Sequence, residues 1–266
     1  MVQQIAAQYQ APDHDATAVA GRALKSLSVI IPALNEERFI GATLRGLHEA
    51  IEWLQSRKEK IRVHVIVVDN DSHDEAAEIA RSFGATIVRE PIRNIARARN
   101  SGARAAEGEL LFFLDADTLV PRCLLSRIAE AMSDPLCDGG AVDIDDRPSR
   151  TLIRLYLRVW YLLGRFTGMA GGAAQFCRRE AFAALGGYDE SIYMGEDVDF
   201  YWRLSRAARR AHRKVSYITD VRVVTSPRRW DRWPVWRSLL WTNPALIALL
   251  RRRKGAWRGW YRDIPR

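Results

Sequence analysis

The sequence contains few cysteines, and it has no long apolar run. Its three cysteines, Cys123, Cys137 and Cys177, are too far apart for a zinc-type pair and suggest no disulfide framework. No apolar run reaches the roughly 18 residues that a membrane-spanning helix needs. Residues 1–20 are rich in Gln and Ala and lack the basic start and apolar centre of a signal peptide. We therefore expect a cytoplasmic protein in which residues 1–24 form a flexible segment.

Positive charge is concentrated near the carboxyl end. The formal net charge is +9, and residues 228–266 contain eleven basic but only two acidic side chains. Six of the nine tryptophans lie in the same stretch: Trp230, Trp233, Trp236, Trp241, Trp257 and Trp260. Basic residues mixed with tryptophan favour peripheral contact with an anionic membrane, here the inner face of the cell membrane. Packing of the stretch against the rest of the chain is the alternative, and no nucleic acid partner is expected.

In the first half of the chain, short apolar segments alternate with segments that have helical periodicity. Strands are predicted at residues 28–32, 63–68, 85–88 and 110–115, and helices at 38–55, 73–83 and 95–106. This alternation is typical of βαβ units, so it predicts an α/β fold with a mostly parallel sheet flanked by helices.

The pattern is looser after residue 121. Helices are predicted at residues 124–132, 151–166, 179–185 and 195–208, and strands at 140–144, 175–177, 215–218 and 221–225. With no repeat or low-complexity linker, we expect one domain at 25–228 and a basic, Trp-rich extension at 229–266.

Two carboxylates follow the most apolar of these strands. Asp115 and Asp117 come directly after Leu110–Leu114, and residues at i and i+2 of an extended backbone point the same way. Carboxylates that converge beside a dry core are costly unless a cation or donor lies between them, which favours a divalent metal. A strand that simply runs into a turn is the alternative, since Asp is common in turns.

Four polar clusters fall at predicted strand ends or helix starts. They are Asn35-Glu36, residues 69–72, residues 97–100 and residues 115–117. In a parallel sheet they gather at the edge formed by the carboxyl ends of the strands, where such sheets bind ligands. Acids and amides at that edge can hold a base and ribose, while a metal neutralises phosphate charge.

Five segments give the sequence a resemblance to family 2 glycosyltransferases. They are residues 28–36 (SVIIPALNE), 67–72 (VVDNDS), 98–102 (ARNSG), 115–117 (DAD) and 195–203 (GEDVDFYWR). The resemblance runs from about residue 28 to residue 225. It implies an inverting enzyme with the Rossmann-like GT-A fold, which uses a nucleotide-sugar donor.

The resemblance also implies roles for individual residues. Donor-binding roles fall on Pro32, Ala33, Asn35, Glu36, Asp69, Asp71, Arg99, Asn100, Asp115 and Gly172. Asp117 is the implied ligand of Mg²⁺ or Mn²⁺, with Asp115 nearer the ribose. Asp197, preceded by Glu196, is the implied catalytic base. Three simpler interpretations stay open: a solvated helix face for Arg99, a plain turn for Gly172, and an acidic first helical turn for Glu196 and Asp197.

The sequence departs from the family pattern at one point. Many relatives carry a histidine after the late strand that completes the metal shell, but the last histidine here is His212. A metal held by Asp117, phosphates and water suits magnesium. Arg228 and Arg229 are candidates for bracing the diphosphate directly, because guanidinium pairs well with phosphate.

These features together predict an inverting transferase that acts on a hydroxyl or phosphate of a lipid or glycan acceptor. A sugar-phosphate nucleotidyltransferase is a second interpretation, although the chain has no glycine-rich basic loop near its first strand. A non-catalytic basic scaffold that binds a membrane or nucleic acid is the third.

Overall fold

The computed structural model describes residues 24–57 and 60–257. Within them the strands form one eight-stranded sheet in the order β3-β2-β1-β4-β7-β6-β8-β5. The strands are β1 (Ser26–Ala33), β2 (Arg62–Asp69), β3 (Thr86–Arg89), β4 (Leu110–Leu114), β5 (Thr118–Leu119), β6 (Cys137–Ile144), β7 (Ala174–Arg178) and β8 (Lys214–Thr225).

Ten α-helices and one 3₁₀ helix accompany the sheet in the same residues. The helices are α1 (Glu37–Ser56), α2 (Ala76–Ser82), α3 (Ile95–Ala105), α4 (Leu124–Ser133), α5 (Thr151–Thr167), α6 (Arg179–Ala184), α7 (Glu196–Arg210), α8 (Arg228–Arg232), α9 (Val235–Trp241) and α10 (Pro244–Leu250), followed by the 3₁₀ helix Lys254–Trp257.

The first half of the sheet is parallel, as the alternating pattern predicts. Strand β1 pairs in parallel with β2 and β4, and β2 pairs in parallel with β3. All five residues of β4 are buried, so the apolar run occupies the centre of the sheet. Strand β7 is antiparallel to β4 and β6, so the sheet is mixed beyond β4.

Apolar layers cover both faces of the sheet. Phe112 belongs to the cluster that contains α1 and α4, whereas its neighbour Phe113 belongs to the cluster on the other face. Gly102 lets α3 approach that face closely, because a Cβ there would lie 2.4 Å from Ile30 Cγ2. The carboxyl ends of β1, β2 and β4 consequently meet the start of α3 at one edge.

The late strands differ from the sequence-based prediction. Two strands were expected at 215–218 and 221–225, but β8 is continuous. The pairing with β6 shifts between Val142, which pairs with Ile218, and Asp143, which pairs with Arg222. This irregularity accommodates the polar residues between the two apolar segments, which had indicated a turn.

The described part of the basic extension packs against the domain. Trp233 and Trp257 are 3% and 1% exposed, and the Trp233 carbonyl accepts a hydrogen bond from Arg150 (2.7 Å). Helix packing thus accounts for part of the tryptophan content. Of the predicted flexible segment, residues 1–24, only Leu24 is described, and it packs against the core instead of extending freely. Residues 1–23 and Trp260 lie outside the described residues.

Candidate active site

A cleft of about 230 Å³ lies at the carboxyl ends of β1 and β4. Several elements contribute to its walls: the loop after β1, the start of α3, the segment after β4, the start of α7 and the start of α8. The predicted site residues in the lining are Pro32, Ala33, Glu36, Arg99, Asp115, Asp117, Glu196, Asp197, Arg228 and Arg229.

The two aspartates after β4 are held by backbone hydrogen bonds. The Asp115 N–H donates to the Ala173 carbonyl (3.0 Å), and the Asp117 carbonyl accepts from the Ser226 N–H (3.1 Å). The first bond ties the segment to the start of β7, and the second ties it to the end of β8. Both carboxylates therefore face one cleft from a fixed segment.

Arg99 is a buried cross-link under the cleft. Its guanidinium donates to Glu196 Oε1 (2.8 Å), Asp115 Oδ1 (2.9 Å) and the Gly172 carbonyl (3.2 Å). Burial disfavours its charged form, but the neighbouring carboxylates, Asp115 first, outweigh burial and raise the pKa of Arg99. The solvated-face interpretation of Arg99 is wrong, because its side chain is only 2% exposed.

Gly172 is a point of close backbone approach. A Cβ at this position would lie 2.6 Å from Asp197 Cβ and 2.9 Å from an Arg99 guanidinium nitrogen. Any side chain would displace one of these two groups. The plain-turn interpretation is therefore incomplete, because a glycine is needed here for the neighbouring side chains to fit.

Glu196 and Asp197 open α7 immediately after Gly195, whose φ is +75°. Glu196 is buried against Arg99, while Asp197 Oδ1 accepts a hydrogen bond from the Val198 N–H (2.8 Å). Burial raises the pKa of Glu196 to about 7, with a further contribution from Asp197. Burial also raises the pKa of Asp197, against the opposing charge of Arg99. Glu196 and Asp197 thus belong to an acidic first turn of α7, and they also line the cleft.

Arg228 spans the opposite wall. One of its nitrogens lies 2.6 Å from Glu36 Oε1 and 3.2 Å from Asp117 Oδ2, and its guanidinium lies over the Phe39 ring at 4.4 Å. Burial raises the pKa of Asp117 to about 7, although Arg228 opposes the shift. Burial lowers the pKa of Arg229, which also lines the cleft.

The donor set at this wall fits a divalent cation bound together with phosphate. Residues 24–57 and 60–257 contain no group of three His, Cys, Asp or Glu side chains arranged for a metal. Magnesium, however, commonly uses one or two carboxylates plus substrate phosphates and water, and Asp117 and Asp115 supply that number. Glu36 Oε2 adds a buried carboxylate oxygen with no hydrogen-bond partner.

Besides Gly172, which lines the adjoining cavity, four predicted donor-binding residues lie outside the lining of the cleft. Asn35 Oδ1 accepts from the His73 N–H (2.7 Å), and Asp69 Oδ1 accepts from the Ser72 N–H (2.9 Å). Asp71 pairs with Arg93 (2.8 Å). These contacts fix the loops after β1 and β2.

The fourth is Asn100. Its amide donates to the Tyr188 carbonyl (2.9 Å) and accepts from the Tyr188 N–H (2.9 Å), which ties α3 to the turn before α7. The Asn100 side chain therefore holds two segments of the protein together and does not line the cleft.

Seven lining residues were missed by the sequence-based assignment: Leu34, Asn70, Ile95, Ala116, Tyr193, Met194 and Gly195. Asn70 lies inside the quoted 67–72 segment, and Ile95 opens α3, so their proximity to the edge could have been recognised. Tyr193 and Met194 precede Gly195 in a loop that no periodicity marks.

A second cavity of about 320 Å³ adjoins the cleft. It shares Asp115, Asp117, Asp197, Arg228 and Arg229 with the first. Its remaining walls come largely from α5 and from the extension. Their aromatic contributors are Tyr156, Trp160, Tyr161, Trp230 and Trp241. Asp197 thus lies where the two cavities meet.

Curated relatives match only a segment of this chain. A 4,4'-diaponeurosporenoate glycosyltransferase of Staphylococcus haemolyticus is 36% identical over 104 residues, which cover 36% of this chain and 25% of the relative. One from Staphylococcus aureus is 47% identical over 64 residues, or 24% and 15% of the two chains. The chain thus spans a quarter or less of these relatives' length.

Solved structures match over a larger part of the fold. S. aureus TarS 1-349 in complex with UDP-GlcNAc has a TM-score of 0.59 at 18% identity and covers 75% of this chain and 58% of its own. A second match is glucosyl-3-phosphoglycerate synthase from Mycobacterium tuberculosis in complex with Mn²⁺, UDP and glucosyl-3-phosphoglycerate. Its TM-score is 0.57 at 18% identity, and the match covers 86% of this chain and 80% of the synthase chain. The likeness confirms the predicted GT-A fold.

The model of glycosyl transferase family 2 matches residues 28–184, from β1 to the end of α6. The match includes the strand-end clusters and both aspartates after β4, and it ends before Glu196 and Asp197. It covers more than half of the sequence, so the chain belongs to glycosyl transferase family 2.

Proposed function

We propose that this protein transfers a sugar, with inversion, from a nucleotide-sugar donor to an acceptor hydroxyl or phosphate. The observation that carries the proposal is the position of Asp197 at the junction of two cavities. Both cavities share the paired aspartates and arginines that suit a diphosphate, and the second cavity extends from them along α5 with room for an acceptor. Family membership favours this function over a nucleotidyltransferase or a scaffold.

On the donor side, the reaction needs groups that stabilise the negative charge of the leaving diphosphate. When the bond between the sugar and the diphosphate breaks, negative charge grows on the leaving oxygen. Arg228 and Arg229 line the cleft as cationic partners for that diphosphate. A divalent cation, Mg²⁺ or Mn²⁺, held by Asp117 and Asp115 would supply further neutralisation when bound. Glucosyl-3-phosphoglycerate synthase binds Mn²⁺ or Mg²⁺ with UDP, which supports this assignment.

On the acceptor side, the reaction needs a group that accepts the proton of the attacking hydroxyl. The acceptor oxygen forms a bond to the anomeric carbon from the face opposite the leaving diphosphate, which inverts the configuration. Its proton passes to the Asp197 carboxylate within hydrogen-bond reach. The raised pKa of Asp197 strengthens it as a base. Arg99 holds Asp115 and Glu196 in place beneath this position, so it is a positioning residue.

Nucleotide binding tests the proposal. In a thermal-shift screen with UDP, GDP, dTDP and CDP, each with Mg²⁺ or Mn²⁺, at least one nucleotide should raise Tm. Binding to the native state at 100 times Kd contributes about 2.7 kcal/mol, which is several degrees for a domain of this size. The corresponding nucleosides are the control, because they lack the diphosphate. No shift with any of the four diphosphates would contradict the proposal.

We also propose peripheral contact with the anionic inner face of the cell membrane. No helix within residues 24–57 and 60–257 is both long and apolar enough to cross a bilayer. Helix α5 instead exposes an apolar stripe at helical spacing, formed by Leu152, Leu155, Val159, Leu162, Leu163 and Phe166. Exposed Arg154 and Arg158 lie on the same helix. In this proposal residues 25–228 form the transferase domain and 229–266 extend the membrane-facing surface.

Vesicle co-sedimentation tests this contact. The protein should bind vesicles that contain phosphatidylglycerol, and binding should weaken as salt rises. Replacing Leu155 and Leu162 together with serine should weaken binding at least tenfold, because burial of one leucine contributes about 1.5–3 kcal/mol. Leu136→Ser is the matched control, since Leu136 is also exposed but lies in the turn just before β6, away from α5 in the chain. Equal binding by all variants, or no binding of the wild type to these vesicles, would contradict the proposal.

A further inference from the structure

We infer that the acceptor is an uncharged alcohol carried on an apolar body, and that it occupies the second cavity with its hydroxyl at Asp197. This inference rests on the proposed transfer reaction and specifies its acceptor. It is carried by the composition of the cavity walls, by the hydrogen-bond acceptors at its polar end, and by the presence of a carboxylate base.

The walls suit an apolar body. Helix α5 contributes Tyr156, Leu157 and Trp160, and the extension contributes Trp241 and Ile247. Helix α5 also carries the exposed apolar stripe on its other side. A membrane-borne amphiphile next to that helix would therefore meet an apolar cavity instead of a polar surface.

The polar end of the cavity is lined by carboxylates, three of which pair with arginines: Asp115 with Arg99, Asp117 with Arg228 and Asp143 with Arg222. Its lining includes five carboxylates, Asp115, Asp117, Asp143, Asp146 and Asp197, but only two guanidinium groups, Arg228 and Arg229. One of these two, Arg228, already pairs with Glu36 and Asp117. In the proposed reaction both of these guanidinium groups face the donor diphosphate, so the lining offers an anionic acceptor head group no further cation. Hydroxyl groups, in contrast, can donate hydrogen bonds to the carboxylates.

Hydroxyl groups of the protein already make such contacts here. The Tyr217 hydroxyl donates to Asp143 Oδ1 (3.1 Å), and the hydroxyls of Tyr161 and Thr225 both donate to Asp146. The carboxylates at this end are thus arranged as acceptors for O–H groups.

The base supports the same class of acceptor. An alcohol keeps its proton near neutral pH, so its attack on the anomeric carbon needs a carboxylate to accept that proton. A phosphate monoester already has an ionised oxygen near pH 7 and needs no base. A carboxylate at the junction of the two cavities therefore has a chemical role only with a protonated acceptor.

A matched pair of amphiphiles tests the inference. Geranylgeraniol and geranylgeranyl phosphate have the same apolar body and differ in the head group. With the nucleotide-sugar whose diphosphate binds in the thermal-shift screen, kcat/KM for the alcohol should exceed that for the phosphate at least tenfold. Equal or better transfer to the phosphate would overturn the inference. Failure of every nucleotide to bind would instead contradict the proposed function.

Two variants localise the acceptor. Gly164→Leu places a side chain in the second cavity, since a Cβ at Gly164 would lie 3.7 Å from Met169 Cε, but it leaves the cleft lining unchanged. It should raise KM for geranylgeraniol at least fivefold without altering nucleotide affinity. Asp143→Asn should lower the ratio of kcat/KM for geranylgeraniol to kcat/KM for geranylgeranyl phosphate. An unchanged KM in the first variant, with an unchanged preference in the second, would overturn the inference.

Discussion

Replacing Asp197 with asparagine should lower kcat by about 10²- to 10⁴-fold, because positioned proton transfer contributes that much to a rate. Nucleotide affinity should stay within about twofold, because asparagine preserves the shape of the side chain at the junction of the cavities. The measurement is the release of nucleoside diphosphate from the donor in the presence of acceptor. In the wild type, proton NMR of the product should show the anomeric configuration opposite to that of the donor.

The matched control is Asp199→Asn, two residues further along the same helix. Asp199 pairs with Arg203 (2.8 Å) and Arg251 (3.2 Å), and it does not line either cavity. Its variant should keep kcat close to that of the wild type. If Asp197→Asn stayed within tenfold of the wild type, or if both variants lost the same activity, Asp197 would not be the base.

Replacing Arg99 with methionine should lower the free energy of unfolding by about 3–5 kcal/mol, the usual result of removing one partner from a buried ion pair. The buried Glu196 and the partly buried Asp115 would lose their shared cation. Urea denaturation measures the loss. We expect nucleotide affinity to fall as well, because Arg99 orients Asp115 at the cleft.

Arg97→Met is the control on the same helix. Arg97 pairs with Glu190 (2.7 Å) and Glu90 (3.4 Å), but its side chain is 32% exposed. Partly exposed pairs contribute about 1 kcal/mol or less, so the loss should be much smaller. A similar loss of unfolding free energy in both variants would contradict the expectation that the buried Arg99 pairs contribute more to stability than the partly exposed Arg97 pairs.

The parallel half of the fold could be predicted because its signal is local. The apolar run of β4 has no polar residue to place on a solvent face, so it belongs inside a sheet that is covered on both sides. The length of β8 could not be predicted in this way. Its continuity depends on a shift in pairing with β6, 70 or more residues away in the chain, and the sequence of β8 alone does not specify that partner.

Part of the candidate site could be predicted from local sequence, whereas the part that depends on contacts between distant residues could not. Asp115 and Asp117 follow a recognisable strand, so their position at the edge follows from topology. The burial of Arg99 depends on Glu196, 97 residues away, and that of Arg228 on Glu36, 192 residues away. An arginine on a helix has the same local pattern whether it faces solvent or two carboxylates.

The tryptophans of the extension illustrate a related limit. Trp233 and Trp257 are buried, whereas Trp236 is 65% exposed. Composition predicts that such a segment contacts something apolar. It does not indicate which side chains contact the domain and which stay exposed, because that division depends on the packing of short helices.

The central claim is that a nucleoside diphosphate and a divalent cation bind together at Asp117 in the cleft beside β4. The most direct test is calorimetric titration of the four nucleoside diphosphates, with Mg²⁺, into the wild type and into Asp117→Asn. The account predicts that at least one nucleotide binds the wild type and that Asp117→Asn weakens its binding at least tenfold. Equal affinity in both proteins would contradict it.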